Sequence, residues 1–154
     1  MTRILRTSAA AAIAAAAALT PMFIGTTAAD ATPSSGVSAV TLAHTDIPAG
    51  LLPFVPRGAH VEVRQIKIEP GGTTGWHYHD ADIYALVRQG TLTHPFANCK
   101  PVVYKTGDII VEPGGKSNVH EGTNLGKVPV ILDVVYVTPF GKPLSEDSPA
   151  PSCA

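Results

Sequence analysis

The sequence predicts an all-β domain, either a sandwich or a small barrel. After residue 31, short runs rich in apolar and β-branched residues alternate with turn signals such as Gln89-Gly90, Thr106-Gly107 and Pro113-Gly114-Gly115. No stretch of about ten residues or more in this part has convincing helical periodicity. Many short strands separated by Gly and Pro are typical of sandwiches and barrels.

The N-terminal region has the pattern of a secretory signal peptide. Arg3 and Arg6 precede an Ala-rich apolar run, and small residues follow in the arrangement Ala29-Asp30-Ala31. We predict that residues 1–31 are the signal and that cleavage follows Ala31, with Ala29 as the nearest alternative. The apolar run is shorter than the ~20 residues of a spanning helix, which favours export over a membrane anchor.

The remainder has the size of one domain. Removing residues 1–31 from the 154-residue chain leaves 123 residues. We assign residues 32–138 to the β-domain and residues 139–154 to a C-terminal surface tail. The chain has 11 basic and 12 acidic residues, so its charge does not favour a nucleic-acid partner or, after signal cleavage, a membrane. A monomer and a homodimer both stay open.

Two cysteines, Cys99 and Cys153, lie in the predicted exported part. In an oxidising compartment an even number of cysteines favours a disulfide, and one pair allows a single intrachain connectivity. Such a bridge would close a loop of about 50 residues, worth on the order of 4 kcal/mol in the chain-entropy model. We therefore predict that it ties the tail to the domain, with free or intermolecular thiols as the alternative.

Strands are predicted in chain order. Residues 37–44 have the pattern of an edge strand, and residues 60–69 alternate apolar and polar with a change of phase at Arg64-Gln65. A bulge or a division into two strands would account for that change, and Pro70-Gly71-Gly72 is a turn signal. The longest apolar run, residues 128–137, predicts a central strand buried on both faces. The bounds predicted for this central strand are residues 130–138. Further strands are predicted at residues 76–79, 83–88, 91–94, 102–105, 108–111 and 118–121.

The candidate chemistry is centred on residues 71–90, which contain His77 and His79. On a strand, side chains at i and i+2 project from the same face, so both imidazoles would point to one side. His120 is the third candidate, and imidazoles suit Zn, Fe, Cu or Ni. The alternative is that these histidines are exposed or hydrogen-bonded and bind no metal.

Two spacings resemble the two motifs of the cupins. Gly71, five residues, His77, one residue and His79, followed by an apolar strand into Gly90, resemble the first motif. Gly107, five residues, Pro113-Gly114-Gly115, His120, three residues and Asn124 resemble the second. The resemblance covers about residues 61–137, and the chain looks most like the small single-domain secreted bacterial cupins. It implies a double-stranded β-helix, or jelly-roll, barrel with His77, His79 and His120 as metal ligands.

The sequence departs from the cupin pattern in two places. The first motif usually has a glutamate seven positions before its closing glycine, and Ile83 occupies that position here. Asp82 would replace this fourth ligand only if a turn at Asp80-Ala81-Asp82 breaks the alternation; otherwise it is a solvated turn carboxylate. Four residues, where two are usual, separate Gly115 from His120. We expect a displaced loop there.

Other polar residues are given structural interpretations. His94 is predicted to lie at the surface and not at a metal. Asp108 and Glu112 are predicted to be turn and edge carboxylates. Tyr136 is predicted to be a core or rim aromatic, whose hydroxyl needs a partner if buried.

We therefore expect an exported cupin-like protein that binds a divalent metal, Fe, Mn, Zn or Ni, through His77, His79 and His120. One hypothesis is a metal-dependent oxygenase or related enzyme acting on a small organic substrate. The alternative is a non-catalytic module that binds a small ligand or a metal, and a weaker third is a barrel whose histidines bind nothing. The sequence assigns no catalytic residue and does not choose among these classes.

Overall fold

The computed structural model describes residues 31–53 and 55–154. Apart from Ala31, the predicted signal peptide, residues 1–31, lies outside the described residues. Within the described part there are nine strands and no helix, hence no helix that could cross a membrane. The strands are β1 (Ser35–Ile47), β2 (Ala59–Thr73), β3 (His77–Tyr78), β4 (Ile83–Gln89), β5 (Thr91–Pro95), β6 (Pro101–Lys105), β7 (Ile109–Glu112), β8 (Val130–Thr138) and β9 (Glu146–Asp147).

One wall of the barrel is a regular antiparallel sheet in the order β1-β2-β8-β4-β7. We call it the regular wall. β1 lies at its edge and β8 at its centre, as predicted. The prediction that β8 is buried on both faces is wrong: Val134 is 4% exposed and its neighbour Val135 is 36% exposed. Only one face of this sheet therefore packs on the core.

β2 is a single strand throughout. Its register with β8 runs unbroken from His60 to Ile68, so the predicted bulge or division within this stretch is wrong. The extra residue lies on β1, between Thr41 and Ala43. The turn signal Pro70-Gly71-Gly72 does not reverse the chain, because β2 continues to Thr73. The register between β2 and β1 shifts in this region, and Gly71 adopts a φ of 78° there.

The facing wall is assembled from shorter pieces, and we call it the assembled wall. β5 pairs with β6, and β3 pairs with β9. Residues 120–123 lie between these pairs and join them through isolated bridges, so the predicted strand at residues 118–121 is reduced to single contacts. The bridges are His120 with His77, His120 with Phe96, Thr123 with Thr73, and Thr123 with Thr93.

The two walls enclose one apolar core. Leu92 of β5 joins it from the assembled wall, and the other members come from the regular wall. Two facing sheets around a shared core form the predicted jelly-roll barrel, which is confirmed. The core consists of Ile68, Ile83, Ala85, Val87, Leu92, Ile110, Val130, Leu132, Val134 and Tyr136.

The C-terminal tail is part of the assembled wall. Glu146–Asp147 pair with His77–Tyr78, and the Ser148 N–H donates to the Trp76 carbonyl at 2.9 Å. Cys153 forms the predicted disulfide with Cys99, with 5.9 Å between their Cα atoms. The tail lies at the surface and also backs the strand that carries His77. A disulfide is also compatible with an extracytoplasmic location.

Candidate metal centre

The three histidines singled out from the sequence meet inside the barrel. The ring centroids are 5.0 Å apart for His77 and His79, 4.5 Å for His77 and His120, and 5.1 Å for His79 and His120. One ligand nitrogen from each lies within 4.8 Å of the others. The backbones of His77 and His120 exchange two N–H···O bonds, each 2.9 Å long, which fixes this pair across the assembled wall. The longer loop before His120 therefore does not displace it from the group.

Each of these imidazoles is oriented by a backbone carbonyl. Nδ1 lies 2.9 Å from the Gly75 oxygen in His77, 2.6 Å from the Leu144 oxygen in His79 and 2.8 Å from the Asn118 oxygen in His120. A carbonyl oxygen only accepts, so Nδ1 carries the proton in all three rings and Nε2 is left to bind another group. Carbonyl partners of this kind orient the histidine ligands of metal sites.

A carboxylate that was not predicted as a ligand lies among these nitrogens. Glu112 Oε2 lies 3.1 Å from His79 Nε2 and 3.4 Å from His120 Nε2. Glu112 lies on β7, at the edge of the regular wall, but its side chain is only 13% exposed and points into the barrel. The alternation in β7 explains this, because Glu112 is two residues beyond the fully buried Ile110 and faces the same side.

The position of Glu112 accounts for the carboxylate that the cupin pattern lacks here. Ile83 and Glu112 are directly opposite in the antiparallel pair β4 and β7. Side chains of opposite residues lie on one face with Cβ atoms ~4.5–5.5 Å apart. The expected carboxylate is therefore missing at position 83 of β4 and present on its cross-strand neighbour in β7, while Ile83 itself is core, at 1% exposure.

His94 also belongs to this interior group. It is 1% exposed, which contradicts the predicted surface position. Its Nε2 lies 3.1 Å from Glu112 Oε1, the oxygen that His79 and His120 do not contact. The ligand atoms of His94, Glu112 and His120 are within 4.8 Å of one another, so they form a second group that could hold an ion.

The electrostatics of the cluster call for a cation. Burial raises the pKa of Glu112, but its contacts with His120, His79 and His94 outweigh burial and hold this pKa well below its usual value. Burial lowers the pKa of His120, yet Glu112 outweighs burial and raises it. Burial lowers the pKa of His77 to about 4, so this ring is neutral at pH 7. An ionised carboxylate thus faces Nε2 atoms, and either protons or a metal ion must supply the balancing positive charge.

The residues therefore fit a divalent metal. Three imidazole nitrogens and a carboxylate oxygen are ordinary ligands of Zn and other first-row metals. His120 Nε2 is buried and has no hydrogen-bond partner, since its 3.4 Å approach to Glu112 is an ion-pair distance only. A buried, unsatisfied ring nitrogen aimed at a carboxylate is the feature that a bound ion would complete.

Asp82 does not substitute for the missing ligand. It is exposed, and its Oδ1 accepts a 2.9 Å hydrogen bond from the Gly114 N–H. The interpretation as a turn carboxylate is therefore correct, and the interpretation as a fourth ligand is wrong.

Two cavities meet at the cluster. An interior cavity of about 40 Å³ is lined by His77, His79, His94, Glu112 and apolar side chains of both walls. This exceeds the ~10–15 Å³ that a water molecule needs, so an ion with a small oxygen ligand fits. A larger cavity of about 270 Å³ shares with it Ile66, Thr74, His77, His79 and Tyr136.

The model of the cupin domain family matches residues 64–137, the stretch that holds both motifs. With the double-stranded β-helix fold, this match shows that the chain belongs to the cupin superfamily. Comparison with curated proteins finds no significant match.

Several solved structures have the same fold. A cupin-like protein from Thermotoga maritima has a TM-score of 0.57 and 19% identity, covering 76% of this chain and 80% of its own. A conserved protein with a double-stranded β-helix domain from Klebsiella pneumoniae has a TM-score of 0.56 and 21% identity, with 77% and 90% covered. The polyketide cyclase RemF from Streptomyces resistomycificus has a TM-score of 0.55 and 14% identity, with 76% and 74% covered. At these identities the likeness concerns the fold alone.

Proposed function

We propose that this protein is an exported cupin that binds one divalent metal ion through His77, His79, His120 and Glu112. One observation carries the proposal: the Nδ1–H group of each imidazole donates a hydrogen bond to a backbone carbonyl, and the Nε2 atoms of His79 and His120 approach one carboxylate oxygen. The disulfide and the N-terminal signal pattern support export.

We propose further that the site acts on a small organic substrate, in an oxygenase or a related metal-dependent enzyme. A bound divalent ion would supply Lewis acidity toward an oxygen ligand. The chain supplies the rest: carbonyl-held imidazoles that need no reorganisation, and Ile66, Leu132 and Val134, which line the interior cavity and limit water there. His94 holds the second oxygen of Glu112 and so orients this carboxylate.

Metal content tests the site. Wild-type protein purified without a histidine tag should carry about one equivalent of metal by elemental analysis. His79→Ala should lose at least about nine-tenths of it, because one of four ligands and a partner of Glu112 disappear. His44→Ala is the matched control, since His44 is exposed on β1. A wild type that carries no metal, and that gains no thermal stability from Zn, Mn, Fe or Ni, would refute the proposal.

Turnover separates the enzyme from the alternative, a non-catalytic binding module for a small ligand or metal. Oxygen uptake by the Fe(II)-loaded protein with a small organic acid, abolished in His79→Ala, would establish the oxygenase. Tight ligand binding without consumption of oxygen or ligand would establish the module. The 270 Å³ cavity beside the histidines suits either function.

We also propose that the protein forms a homodimer through the outer face of the regular wall. Val63, Val135, Tyr84 and Val111 are opposite one another in one apolar row across four strands. Tyr84 and Val111 are each 47% exposed. The five strands present a face of roughly 20 Å by 30 Å, about 600 Å², which is at the lower end of the area that each partner buries in a standard interface of ~1,200–2,000 Å² in total. Tyr84→Lys should convert a dimer to a monomer in light scattering; a monomeric wild type would refute this.

A further inference from the structure

The change of phase in the sequence of β2 marks the boundary between the core and a ligand cavity. Because β2 is unbroken, Arg64 lies on the same face as Ile66 and Ile68, which line the interior cavity. Along this face the strand changes from apolar residues to a charged pair, Glu62 and Arg64. The cavity of about 270 Å³ opens where that change occurs, and Arg64 is one of its lining residues.

The cavity brings a positive group and a hydroxyl next to the candidate metal centre. Arg64, Tyr136, His77 and His79 all line it. The ring of Tyr136 is 5.8 Å from the ring of His79, centroid to centroid. The phenol O–H group of Tyr136 is a hydrogen-bond donor at neutral pH.

Arg64 has an N–H group that is available to donate a hydrogen bond. Its Nε is buried and has no hydrogen-bond partner, and its nearest carboxylate oxygen, Glu62 Oε1, is 3.5 Å away. That oxygen already accepts a 2.7 Å bond from Thr41 Oγ1, and Glu62 Oε2 lies 3.4 Å from His60 Nε2. Glu62 is thus shared among three neighbours. A guanidinium that lines a cavity and whose Nε has no hydrogen-bond partner is a natural partner for an anionic oxygen group.

We propose that the cavity binds a small molecule with a carboxylate and a second oxygen-bearing group, with Arg64 holding the carboxylate and Tyr136 donating to the ligand. This proposal rests on the proposed metal centre, toward which the second oxygen is directed. The volume lies below the ~300–1,000 Å³ of drug-sized pockets, which fits a small organic acid. One guanidinium, partly compensated by Glu62, matches a carboxylate charge of −1 better than a phosphate charge near −2. Asp147, also at this cavity, further disfavours a dianion.

Isothermal titration of the zinc-loaded protein with succinamate, which has one carboxylate and one amide group, with its neutral analogue succinamide and with inorganic phosphate tests this proposal. Arg64→Gln should bind succinamate about tenfold to hundredfold more weakly than wild type, the range expected for a lost charged hydrogen bond. The affinity of Arg64→Lys should lie between those of wild type and Arg64→Gln, because lysine keeps the positive charge but lacks the paired N–H groups of the guanidinium. Arg88→Gln is the matched control: Arg88 is 58% exposed and pairs with Asp133 at 3.1 Å, away from the cavity.

Zinc stoichiometry, measured on each variant, separates this inference from the metal proposal. Zinc content should be unchanged in Arg64→Gln while the affinity for succinamate falls. Equal succinamate affinity in wild type and Arg64→Gln, succinamide binding as tight as succinamate, or tighter phosphate binding would each overturn the inference. If the wild type takes up no zinc, the metal proposal fails, and the same comparison on metal-free protein then decides on Arg64 alone.

Discussion

The two walls of this barrel are held together in different ways and contribute different groups to the site. The regular wall is a continuous five-stranded ladder that supplies nearly all of the core and one buried carboxylate, Glu112. The assembled wall consists of two-stranded pairs and isolated bridges, and it carries His77, His79, His94 and His120. The difference indicates that stability resides mainly in one wall, and that the geometry of the imidazoles depends on local backbone contacts in the other.

Local contacts give the assembled wall a precision that its short strands alone would not provide. The carbonyls of Gly75, Leu144 and Asn118 each fix one imidazole. Leu144 belongs to the tail, which Cys153 anchors to Cys99 in the segment after β5. The orientation of His79 therefore depends on a segment 65 residues further along the chain.

The largest expected effect comes from moving the carboxylate within the regular wall. Ile83→Glu should lower the free energy of unfolding by more than about 5 kcal/mol, because it removes a buried Ile and places a second carboxylate beside Glu112. Glu112→Ile should be less destabilising but should lose metal. Chemical denaturation and elemental analysis measure both.

The double variant Ile83→Glu/Glu112→Ile sharpens this test. It places the carboxylate at the usual cupin position, so it should recover metal that Glu112→Ile has lost and part of the stability that Ile83→Glu has lost. Additive losses in the double variant would show that positions 83 and 112 do not act as one cross-strand pair.

Reduction of the disulfide should have the next largest effect, on the assembled wall. Opening a loop with a sequence separation of 54 should cost about 4 kcal/mol in the chain-entropy model. The melting temperature should fall on adding a reductant, two thiols should become reactive, and metal affinity should drop because the Leu144 carbonyl is released from His79. An unchanged melting temperature after verified reduction would contradict this role of the tail.

Asn124→Ala should have a moderate effect at the contact between the walls. The buried Asn124 side chain donates to the carbonyls of Ile68 and Val128 at 2.9 Å each and accepts from the Gly126 N–H. Removing it leaves buried backbone groups without these partners, which should cost about 2–4 kcal/mol. Asn98→Ala is a suitable control, since Asn98 is exposed. Equal melting temperatures of the two variants would contradict the prediction.

The smallest expected effect concerns the outer edge of the regular wall. The hydrogen bond from His60 to Asp46 raises the pKa of His60 above 6.5. Because the folded-state pKa is raised, the stabilisation is complete below the unfolded value of about 6.5 and is lost as the pH rises through the folded value. Asp46→Asn should shift the NMR titration of His60 to lower pH. An unshifted titration would show that the pair does not persist in solution.

Local patterns in the sequence predicted most strands but not how they are paired. Apolar alternation and Gly or Pro turns placed β4, β5, β6 and β8 within a residue or two of their observed bounds. β9 has two residues and is held by backbone bonds to β3, so no side-chain pattern revealed it. The change of phase in β2 was detected, but it could not be assigned to a cavity until the strand was known to be continuous.

The candidate site was predicted in part. His77, His79 and His120 lie in recognisable motifs, and the structure brings them together. Glu112 was missed because Ile109, Ile110 and Val111 are all apolar. Without alternation of apolar and polar residues, the sequence does not indicate whether the Glu112 side chain points into the barrel or to solvent. His94 was missed because it has no motif partner, and its burial follows from the pairing of β5 with the neighbouring strands.

The sequence by itself determined the all-β class, the cupin motifs, three imidazoles and the cysteine pair, because these depend on spacing along the chain. The tertiary structure decided that the carboxylate comes from β7, that the tail orients His79, and that Arg64 lines a cavity beside the histidines. These three features depend on contacts between residues far apart in the chain. Strand register and loop closure create such contacts, and no local pattern encodes them.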